Sequence, residues 1–353
     1  MSTYLGSVAR RGLLSLRGSL PEVDRLSVRV VTDSVHHAFE RSQRFRDIDI
    51  ERFAFPFSRR PPRRTLQNEW GLSLHVESTL GAETRQMLID FGYTPEALNN
   101  NLALLGIRPE RLDALVLSHG HYDHFGGMAG FLRTHRSRLK RGLAFYLGGE
   151  ECFCAREALV GDSAGNFGAL DRRAIAAAKL RVVFSARPML MAGHAFSTGW
   201  IPETSFEKVL SPTRMTIGMR GGMGCMASHL PKEKRAGSVL PDDFQHEHAT
   251  CFHVKGKGLV IITSCGHRGV VNSVKAAVEV SGVRKIYAIL GGFHLVPHAT
   301  EYLKQTVNAL KDLNPDYVIP MHCTGEAFFA IAQQEMPDKV IRSCTGSRYT
   351  FAA

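Results

Sequence analysis

The sequence predicts a layered α/β sandwich. Short apolar or β-branched runs alternate with amphipathic segments in both halves of the chain, which is the pattern of strands that alternate with helices. Polar residues that can bind metal recur directly after several of these runs. The chain has 353 residues, of which 44% are hydrophobic, so it is long enough to bury the core that such a sandwich needs.

The predicted elements follow one another in two groups. Thr94 and Pro95 have the residue types of a helix start, a capping threonine followed by proline in the first turn. In the first group we predict strands at 26–34, 71–78, 84–92, 111–119 and 143–149, with helices at 94–107 and 126–140. In the second group we predict strands at 248–254, 258–265, 285–294, 316–325 and 340–351, with helices at 268–282, 300–314 and 326–336.

Three segments fall outside this alternation. We interpret residues 1–25 as an N-terminal leader. Their apolar stretch is too short for a signal peptide. Residues 35–68 carry eight arginines interleaved with phenylalanines. We interpret them as a surface insertion or lid, although such a composition also binds nucleic acid. Residues 150–245 predict a second, irregular insertion within a single domain at 26–353.

Charge and composition limit the classes of function that are open to this protein. The formal net charge of +11 indicates either a merely basic surface or an anionic substrate. Seven scattered cysteines do not predict a disulfide framework, so we expect a reducing, cytoplasmic location. The mean hydropathy is −0.10. No apolar run reaches the about 18 residues of a transmembrane helix, so we expect no membrane segment.

Metal-binding residue types stand at one kind of place, immediately after predicted buried strands. Loops at the carboxyl ends of strands are where α/β folds assemble their sites, so we expect these side chains to converge. They are Asp90, His119, His121, Asp123, His124, Cys265, His267, His294 and His322.

The stretch SHGHYDHFGG (118–127) is the densest of these places. Imidazole and carboxylate are the usual zinc ligands, and they also suit iron and manganese. His119 and His121 can reach one ion, whereas Asp123 and His124 project differently and can reach a second ion nearby. Two metals about 3.5–4 Å apart generate a hydroxide at neutral pH and stabilise a developing oxyanion.

This stretch resembles the metal-binding motif of the metallo-β-lactamase superfamily, and LIDFG, with Asp90, resembles the strand before it. The resemblance covers roughly residues 26–350 and implies a four-layer αββα sandwich. The motifs FQHEHA, TSCGHRGVVN, GGFHL and MHCTG resemble one branch of the superfamily. That branch includes an archaeal dihydropterin–ribofuranosylaminobenzene phosphate synthase.

The resemblance implies a role for each motif residue. His119 and His121 resemble ligands of the first metal site. Asp123, His124 and His322 resemble ligands of the second site. The cofactor it implies is one or two Zn²⁺ ions, with Mn²⁺ or Fe²⁺ as alternatives.

Some positions leave alternatives open. The third histidine of the first site is His246 or His248, and the spacing of His246 fits better. Many members of the superfamily have a bridging aspartate where this chain has Cys265. Cys265 is then a thiolate ligand or a neutral buried thiol, and His267 is an alternative ligand. We interpret His294 as a proton-transfer group.

The function that follows is a metal-dependent hydrolase. A metal-bound hydroxide, oriented by Asp123, would attack an ester, lactone or phosphoester, and the basic charge favours a small anionic substrate. The alternatives are a synthase-like pterin-diphosphate transferase and a catalytically silent nucleic-acid binder that uses residues 35–68. A nucleic-acid partner is the less favoured of these.

Overall fold

The structure is a computed structural model that describes residues 16, 18, 20–37, 39–54, 59–161, 163–210 and 212–353. Its strands are β1 (Glu22–Val23), β2 (Arg25–Thr32), β3 (Gln43–Phe45), β4 (Ile48–Glu51), β5 (Ser73–Leu80), β6 (Glu83–Ile89), β7 (Ala114–Leu117), β8 (Ala144–Leu147), β9 (Ala155–Val160), β10 (Ser163–Asn166), β11 (Arg181–Phe184), β12 (Met189–Met191), β13 (Ala195–Ser197), β14 (Thr213–Thr216), β15 (Met219–Arg220), β16 (Met223–Gly224), β17 (Val239–Pro241), β18 (Thr250–Val254), β19 (Gly258–Thr263), β20 (Ile286–Gly292), β21 (Tyr317–Met321) and β22 (Arg348–Ala352). Its α-helices are α1 (Pro95–Leu104), α2 (Tyr122–Phe125), α3 (Met128–His135), α4 (Arg172–Ala177), α5 (Val270–Ser281), α6 (Thr300–Leu313) and α7 (Glu326–Glu335).

Two large sheets organise the chain. The first sheet has the strand order β11-β8-β7-β6-β5-β2-β22-β4-β3. The second has the order β12-β13-β18-β19-β20-β21, with β1 paired to β18. Strands β6, β7 and β8 are parallel in the first sheet, and β19, β20 and β21 are parallel in the second. Each parallel set therefore brings the carboxyl ends of its strands to one edge.

The core lies in three layers of apolar contact. The middle layer joins the facing sides of the two sheets and contains Val28, Val76, Val116, Val260, Leu290 and Ile319. An outer layer packs α1 and α3 on the first sheet, with Leu98, Phe131 and Leu115 among its members. The other packs α5, α6 and α7 on the second sheet, with Val274, Val307 and Phe328. Helices therefore cover both outer faces, and the prediction of a four-layer αββα sandwich is confirmed.

The start of α1 follows the predicted local chemistry. Thr94 is extended, and its Oγ1 atom accepts a hydrogen bond from Ala97 N at 3.3 Å, with Pro95 in the first turn. The cap satisfies a backbone donor that has no partner within the helix.

The segment at 35–68 is less of an insertion than the sequence predicts. Strands β3 and β4 extend the first sheet, because β4 pairs with β22. Ile48 and Ile50 alternate with acidic residues and point into the core between the sheets. Arg52 is buried and donates to Arg342 O at 2.9 Å, so this arginine serves the fold. Phe39 is exposed, whereas Phe55 and Phe57 lie outside the described residues.

The segment at 150–245 is likewise more regular than predicted. It holds a four-stranded sheet of order β10-β9-β14-β17, while β11, β12 and β13 join the large sheets. These strands are short, which is why their alternation is weak in the sequence. Cys154 and Cys225 form a disulfide within it, although they are 71 residues apart. Nothing local in the sequence pairs two cysteines at that distance.

The sandwich begins within the predicted leader. Strand β1 begins at Glu22, so the last residues of the predicted leader already belong to the sandwich. Residues 1–15, 17 and 19 of that leader lie outside the described part of the chain. Among the helices that the structure describes, none has the length and apolar character needed to cross a bilayer.

Candidate metal centre

The strand ends converge as the sequence predicts. Asp90 follows β6, His119 follows β7, Cys265 follows β19, His294 follows β20 and His322 follows β21. Asp90, His294 and His322 have positive φ angles of 57°, 49° and 51°. Such angles are uncommon outside glycine and cost free energy, which is typical of residues held in place at functional sites.

Two glycines let the 118–127 loop pack closely against its neighbours. A Cβ atom on Gly127 would lie 2.2 Å from Phe91 O, and one on Gly120 would lie 2.5 Å from the Nη1 atom of Arg156. Neither site has room for a side chain. The loop is therefore fixed between β6 and the segment that carries Arg156.

Asp123, His124 and His322 form the first cluster of ligand atoms, which corresponds to the second metal site that the resemblance implies. The Nε2 atoms of His124 and His322 face each other at 3.1 Å. The Oδ2 atom of Asp123 lies 3.2 Å from the Nε2 atom of His322 and 3.7 Å from that of His124. Its Oδ1 atom is buried and has no hydrogen-bond partner among the described residues. One carboxylate and two imidazoles that converge in this way suit a divalent cation.

His119, Cys265 and His267 form the second cluster, which corresponds to the first metal site that the resemblance implies. Their ligand atoms lie within 4.8 Å of one another, and all three side chains are buried. The Nε2 atom of His119 and both ring nitrogens of His267 lack a hydrogen-bond partner within the described part of the chain. Buried polar groups without partners cost free energy, so these nitrogens fit the ligand positions of a metal ion.

Cys265 belongs to both clusters. Its Sγ atom lies within 4.8 Å of ligand nitrogens of His124 and His322, and also of His119 and His267. The thiol thus stands between the two groups of imidazoles, where the resemblance implies a bridging ligand.

His121 lies against the second cluster and is oriented by a relay of hydrogen bonds. Its ring centroid is 4.9 Å from that of His119 and 4.7 Å from that of His267. The Nε2 atom of His121 lies 3.0 Å from Thr213 Oγ1, and that hydroxyl donates to Asp242 at 3.4 Å. The hydroxyl therefore accepts the Nε2 proton of His121, which leaves Nδ1 free to bind metal.

Asp90 sets the tautomers of two further histidines. Its Oδ2 atom accepts hydrogen bonds from His124 Nδ1 at 2.8 Å and from Ser118 Oγ at 2.7 Å. The same hydroxyl lies 3.0 Å from the Nδ1 atom of His119. Because a carboxylate only accepts, the protons of His119 and His124 lie on Nδ1. The Nε2 lone pairs of both rings therefore face the clusters, in the form that metal binding requires.

Burial and neighbouring charges set the protonation states of these groups. It lowers the pKa of His121 to about 3, and it lowers the pKa of His119 well below the usual range, with His124 adding to the effect. Burial works to raise the pKa of Asp123, but attraction to His124 and His322 outweighs it and holds that pKa well below its usual range. Burial also works to lower the pKa of His322, but Cys323 and Asp123 outweigh it and raise that pKa to about 9. At neutral pH the metal-free centre therefore offers neutral His119 and His121 and an ionised Asp123, whereas His322 releases a proton when a metal binds.

His294 lies beside the clusters and forms a third group of possible metal ligands, because one of its ring nitrogens lies within 4.8 Å of the sulfurs of Cys265 and Cys323. Its ring centroid is 3.9 Å from that of His267, and its Nδ1 atom lies 3.6 Å from Cys265 Sγ. Cys323 is close by, because its Sγ atom accepts a hydrogen bond from His294 N at 3.3 Å. His294 is half-buried, so it is placed between the clusters and solvent.

His246 lies outside both clusters. Its Nε2 atom accepts from Arg156 Nη2 at 3.0 Å, and its Nδ1 atom faces Glu151 at 3.4 Å. Arg156 therefore engages Nε2, whereas Nδ1 is buried, faces the Glu151 carboxylate and makes no hydrogen bond within the described part of the chain. His267, which belongs to the next loop, lies with His119 and Cys265 where the resemblance implies a third first-site histidine.

His248 also lies outside both clusters, and it serves the fold. Its Nε2 atom donates to Leu117 O at 3.1 Å, and its Nδ1 atom lies 3.1 Å from Ser197 Oγ. Burial lowers the pKa of His248 to about 4, although the bond to Leu117 opposes this. The ring is therefore neutral in the folded protein at pH 7.

This burial predicts an acid-sensitive stability for the metal-free protein. The unfolded chain binds a proton on His248 near pH 6.5, whereas the folded chain does so only near pH 4, so stability falls as pH falls between these values. The shift corresponds to about 3 kcal/mol. Urea unfolding from pH 7.5 to 4 should show a shallower loss in His248→Gln than in the natural chain. Parallel curves for the two proteins would contradict the prediction.

Sequence reasoning missed the residues that orient the ligands. Arg156 is fully buried and its Nε atom donates to Asp242 at 2.6 Å, which fixes the carboxylate beyond Thr213. Arg156 and Thr213 lie in the segment predicted as irregular, and no motif marks them. The sequence does indicate two neighbours of the ligands. Cys323 directly follows His322, and Ser118 directly precedes His119.

Comparisons with known proteins identify similar sequences. Residues 78–140 match the family model of the metallo-β-lactamase superfamily. The 7,8-dihydropterin-6-methyl-4-(β-D-ribofuranosyl)-aminobenzene-5'-phosphate synthase of Methanocaldococcus jannaschii is 28% identical over 271 residues, which is 73% of this chain and 82% of the relative. An uncharacterised protein of the same organism is 26% identical over 246 residues, covering 68% of this chain and 80% of its own length.

A solved structure shows the same fold. The crystal structure of Tm1679, described as a metal-dependent hydrolase of the β-lactamase superfamily, matches with a TM-score of 0.64. The match covers 92% of this chain and 98% of that chain at 21% identity. This chain therefore has the metallo-β-lactamase fold, and its resemblance to the metallo-β-lactamase superfamily and to the branch of the archaeal synthase is confirmed.

Proposed function

We propose that this protein is a metal-dependent hydrolase whose two clusters hold two divalent metal ions. The observation that carries the proposal is the set of buried ligand atoms that face one another without protein partners among the described residues. They are His119 Nε2, both ring nitrogens of His267, and Asp123 Oδ1. The Nε2 atoms of His124 and His322 contact each other and Asp123, so their partners also belong to the cluster.

The donor set favours zinc. Neutral imidazoles with one carboxylate and one thiolate are typical zinc ligands, and Mn²⁺ or Fe²⁺ would accept the imidazole and carboxylate part. His119, His121 and His267 would hold one ion, and Asp123, His124 and His322 the other. Cys265 would serve both. When bound, such ions supply a water-derived nucleophile at neutral pH and stabilise negative charge on the substrate.

The protein's own residues would complete the reaction. Asp123 has a buried oxygen without a partner in the described chain, so it is placed to orient an attacking water. His294 lies at the border of the clusters with its Nδ1 atom near Cys265, where it could pass a proton to the leaving group. The carboxylates of Asp90 and Asp242 would keep the histidine ligands in one tautomer.

The charge near the centre favours a small anionic substrate. A narrow cleft beside His267 and His294 is bordered by Lys208, His298 and Tyr302. The acidic residue of this cleft, Glu207, is occupied with the first turn of α5. The net charge of +11 points the same way. Phosphodiesters and carboxylated lactones are therefore the first substrates to test.

The test is turnover by the full chain after metal removal and reloading. A chelator should abolish hydrolysis of anionic esters, and zinc or manganese should restore it. His135→Gln is a matched control, because His135 contacts Asn99 away from the clusters and the variant should stay active. Hydrolysis that survives complete metal removal would contradict the proposal. Equal turnover of neutral esters would contradict the anionic substrate.

A second candidate is a synthase reaction, which the similarity to the archaeal synthase favours. Here the metal centre would bind the diphosphate of a pterin while a carbon of the second substrate attacks. A pterin diphosphate consumed only in the presence of the second substrate, without release of free pterin alcohol, would support this candidate. A nucleic-acid binder would instead bind in a salt-sensitive way that survives chelation.

A further inference from the structure

Two thiols lie together inside the metal centre. The Sγ atoms of Cys265 and Cys323 are 3.2 Å apart, although the residues are 58 positions apart in the chain. Each side chain is 2% exposed. The pair is therefore brought together by the convergence of the ends of β19 and β21.

The contacts around the pair fix both sulfurs. Cys323 Sγ lies 3.3 Å from Cys265 O and accepts from His294 N at 3.3 Å. A Cβ atom on Gly292 would lie 2.9 Å from Cys323 Sγ, so a glycine is needed to seat the thiol. The proposed ligand set uses Cys265 and leaves Cys323 without a role in hydrolysis.

We propose that Cys265 and Cys323 form an oxidisable dithiol, and that their conversion to a disulfide removes Cys265 from the metal centre. The loss of metal rests on the proposed function, because it requires Cys265 to be a ligand. A disulfide bond is about 2.05 Å long, so the sulfurs need to approach by only about 1 Å. A sulfur atom in a disulfide carries no negative charge, so it no longer binds a cation as a thiolate does.

The oxidant that we propose is hydrogen peroxide, because it is among the smallest oxidants and the cleft beside Gly266 and His294 has a volume of only about 10 Å³. The thiolate of one of the two cysteines attacks one peroxide oxygen, so an S–O bond forms, the O–O bond breaks, and the other oxygen leaves as water after taking a proton. The thiol of the other cysteine then attacks that sulfur, so the S–S bond forms and a second water leaves. Two thiols are oxidised, and one peroxide is reduced to two waters.

The remaining described cysteines provide contrast. Cys154 and Cys225 are already joined. Cys152, Cys251 and Cys344 are free and buried. Cys344 contacts the hydroxyl of Ser347 rather than another thiol. Peroxide treatment should therefore create one new disulfide, at Cys265 and Cys323.

The experiment uses the full chain with Cys265 and Cys323 as free thiols and the Cys154–Cys225 disulfide intact. Its zinc-loaded and metal-free forms are treated with hydrogen peroxide and analysed by intact mass and peptide mapping. The natural chain should lose two hydrogen atoms and give a peptide that joins Cys265 to Cys323. Metal-free protein should react faster than loaded protein. The oxidised protein should bind at least one zinc ion fewer, and a dithiol reductant should restore the lost zinc.

Two variants keep this test sharp. Cys323→Ser should give no cross-link, and a sulfenic-acid trap should label its Cys265 instead. Cys344→Ser should behave as the natural chain does. Absence of the cross-link at peroxide doses that label Cys265 in the variant would overturn the proposal. A cross-link that leaves zinc binding unchanged would overturn the loss of metal, while chelator-sensitive hydrolysis in reduced protein would still support the proposed function.

Discussion

Asp123→Asn is expected to lower metal-dependent hydrolysis by about 10²–10³-fold, because it removes the only carboxylate in the cluster of His124 and His322. The amide keeps the shape of the side chain but loses its charge. One amide position would also place N–H donors against the facing imidazole nitrogens, at the 3.2 Å distance where Asp123 now lies from His322. The centre should therefore also bind one metal ion fewer.

The measurement is kcat with an anionic ester, together with the metal content of the same preparation. Asp113→Asn is the matched control, because its carboxylate accepts from Gln86 N at 2.8 Å away from the clusters. The control should keep its metal and its rate. Full activity in Asp123→Asn with unchanged metal content would show that Asp123 is not a ligand.

Asp90→Asn is expected to weaken metal binding by about 10- to 100-fold without contributing a ligand atom itself. Its carboxylate accepts from Ser118 N at 2.8 Å and, through the other oxygen, from Ser118 Oγ and His124 Nδ1. An amide has one acceptor and one donor end. It therefore either opposes the Ser118 N–H or drives His124 into the tautomer that blocks Nε2.

This substitution removes the charge of residue 90 without disturbing its backbone conformation. Asp90 has a φ angle of 57°, and asparagine adopts that left-handed conformation readily. Zinc competition with a coloured chelator would measure the affinity, and urea unfolding of the metal-free form would check the fold. An affinity equal to that of the natural chain would mean that Asp90 does not control the tautomers.

The fold was predictable because its pattern is local. Helix α1 and strand β7 each lie within a predicted range, since the periods of their apolar residues are those of a helix and a buried strand. The four-layer arrangement required the resemblance as well. Strand β4 was not predictable in this way, because the alternation of Ile48 and Ile50 is short and lies in an arginine-rich segment.

The candidate site was predictable where ligands share one loop or follow a buried strand. His119, His121, Asp123 and His124 are close in the chain, so their convergence needs little from the rest of the fold. Whether His246 joins the other ligands does depend on the rest. Arg156, 90 residues before His246, engages that imidazole, and no spacing rule reveals such a contact.

The orienting residues were beyond sequence reasoning for the same reason. Thr213 reaches His121 across 92 positions, from a short strand in the segment expected to be irregular. A hydroxyl between a carboxylate and an imidazole has no signature in composition or periodicity. Its role appears only when the three groups lie within hydrogen-bonding distance.

The central claim is that divalent metal binds between the imidazoles of the two clusters. Anomalous diffraction at the zinc edge, from crystals of protein never exposed to a chelator, tests it most directly. The account predicts peaks about 2.0–2.3 Å from His119 Nε2, His124 Nε2 and Cys265 Sγ. A map without anomalous density there, with the His246 imidazole instead turned toward an ion elsewhere, would contradict it.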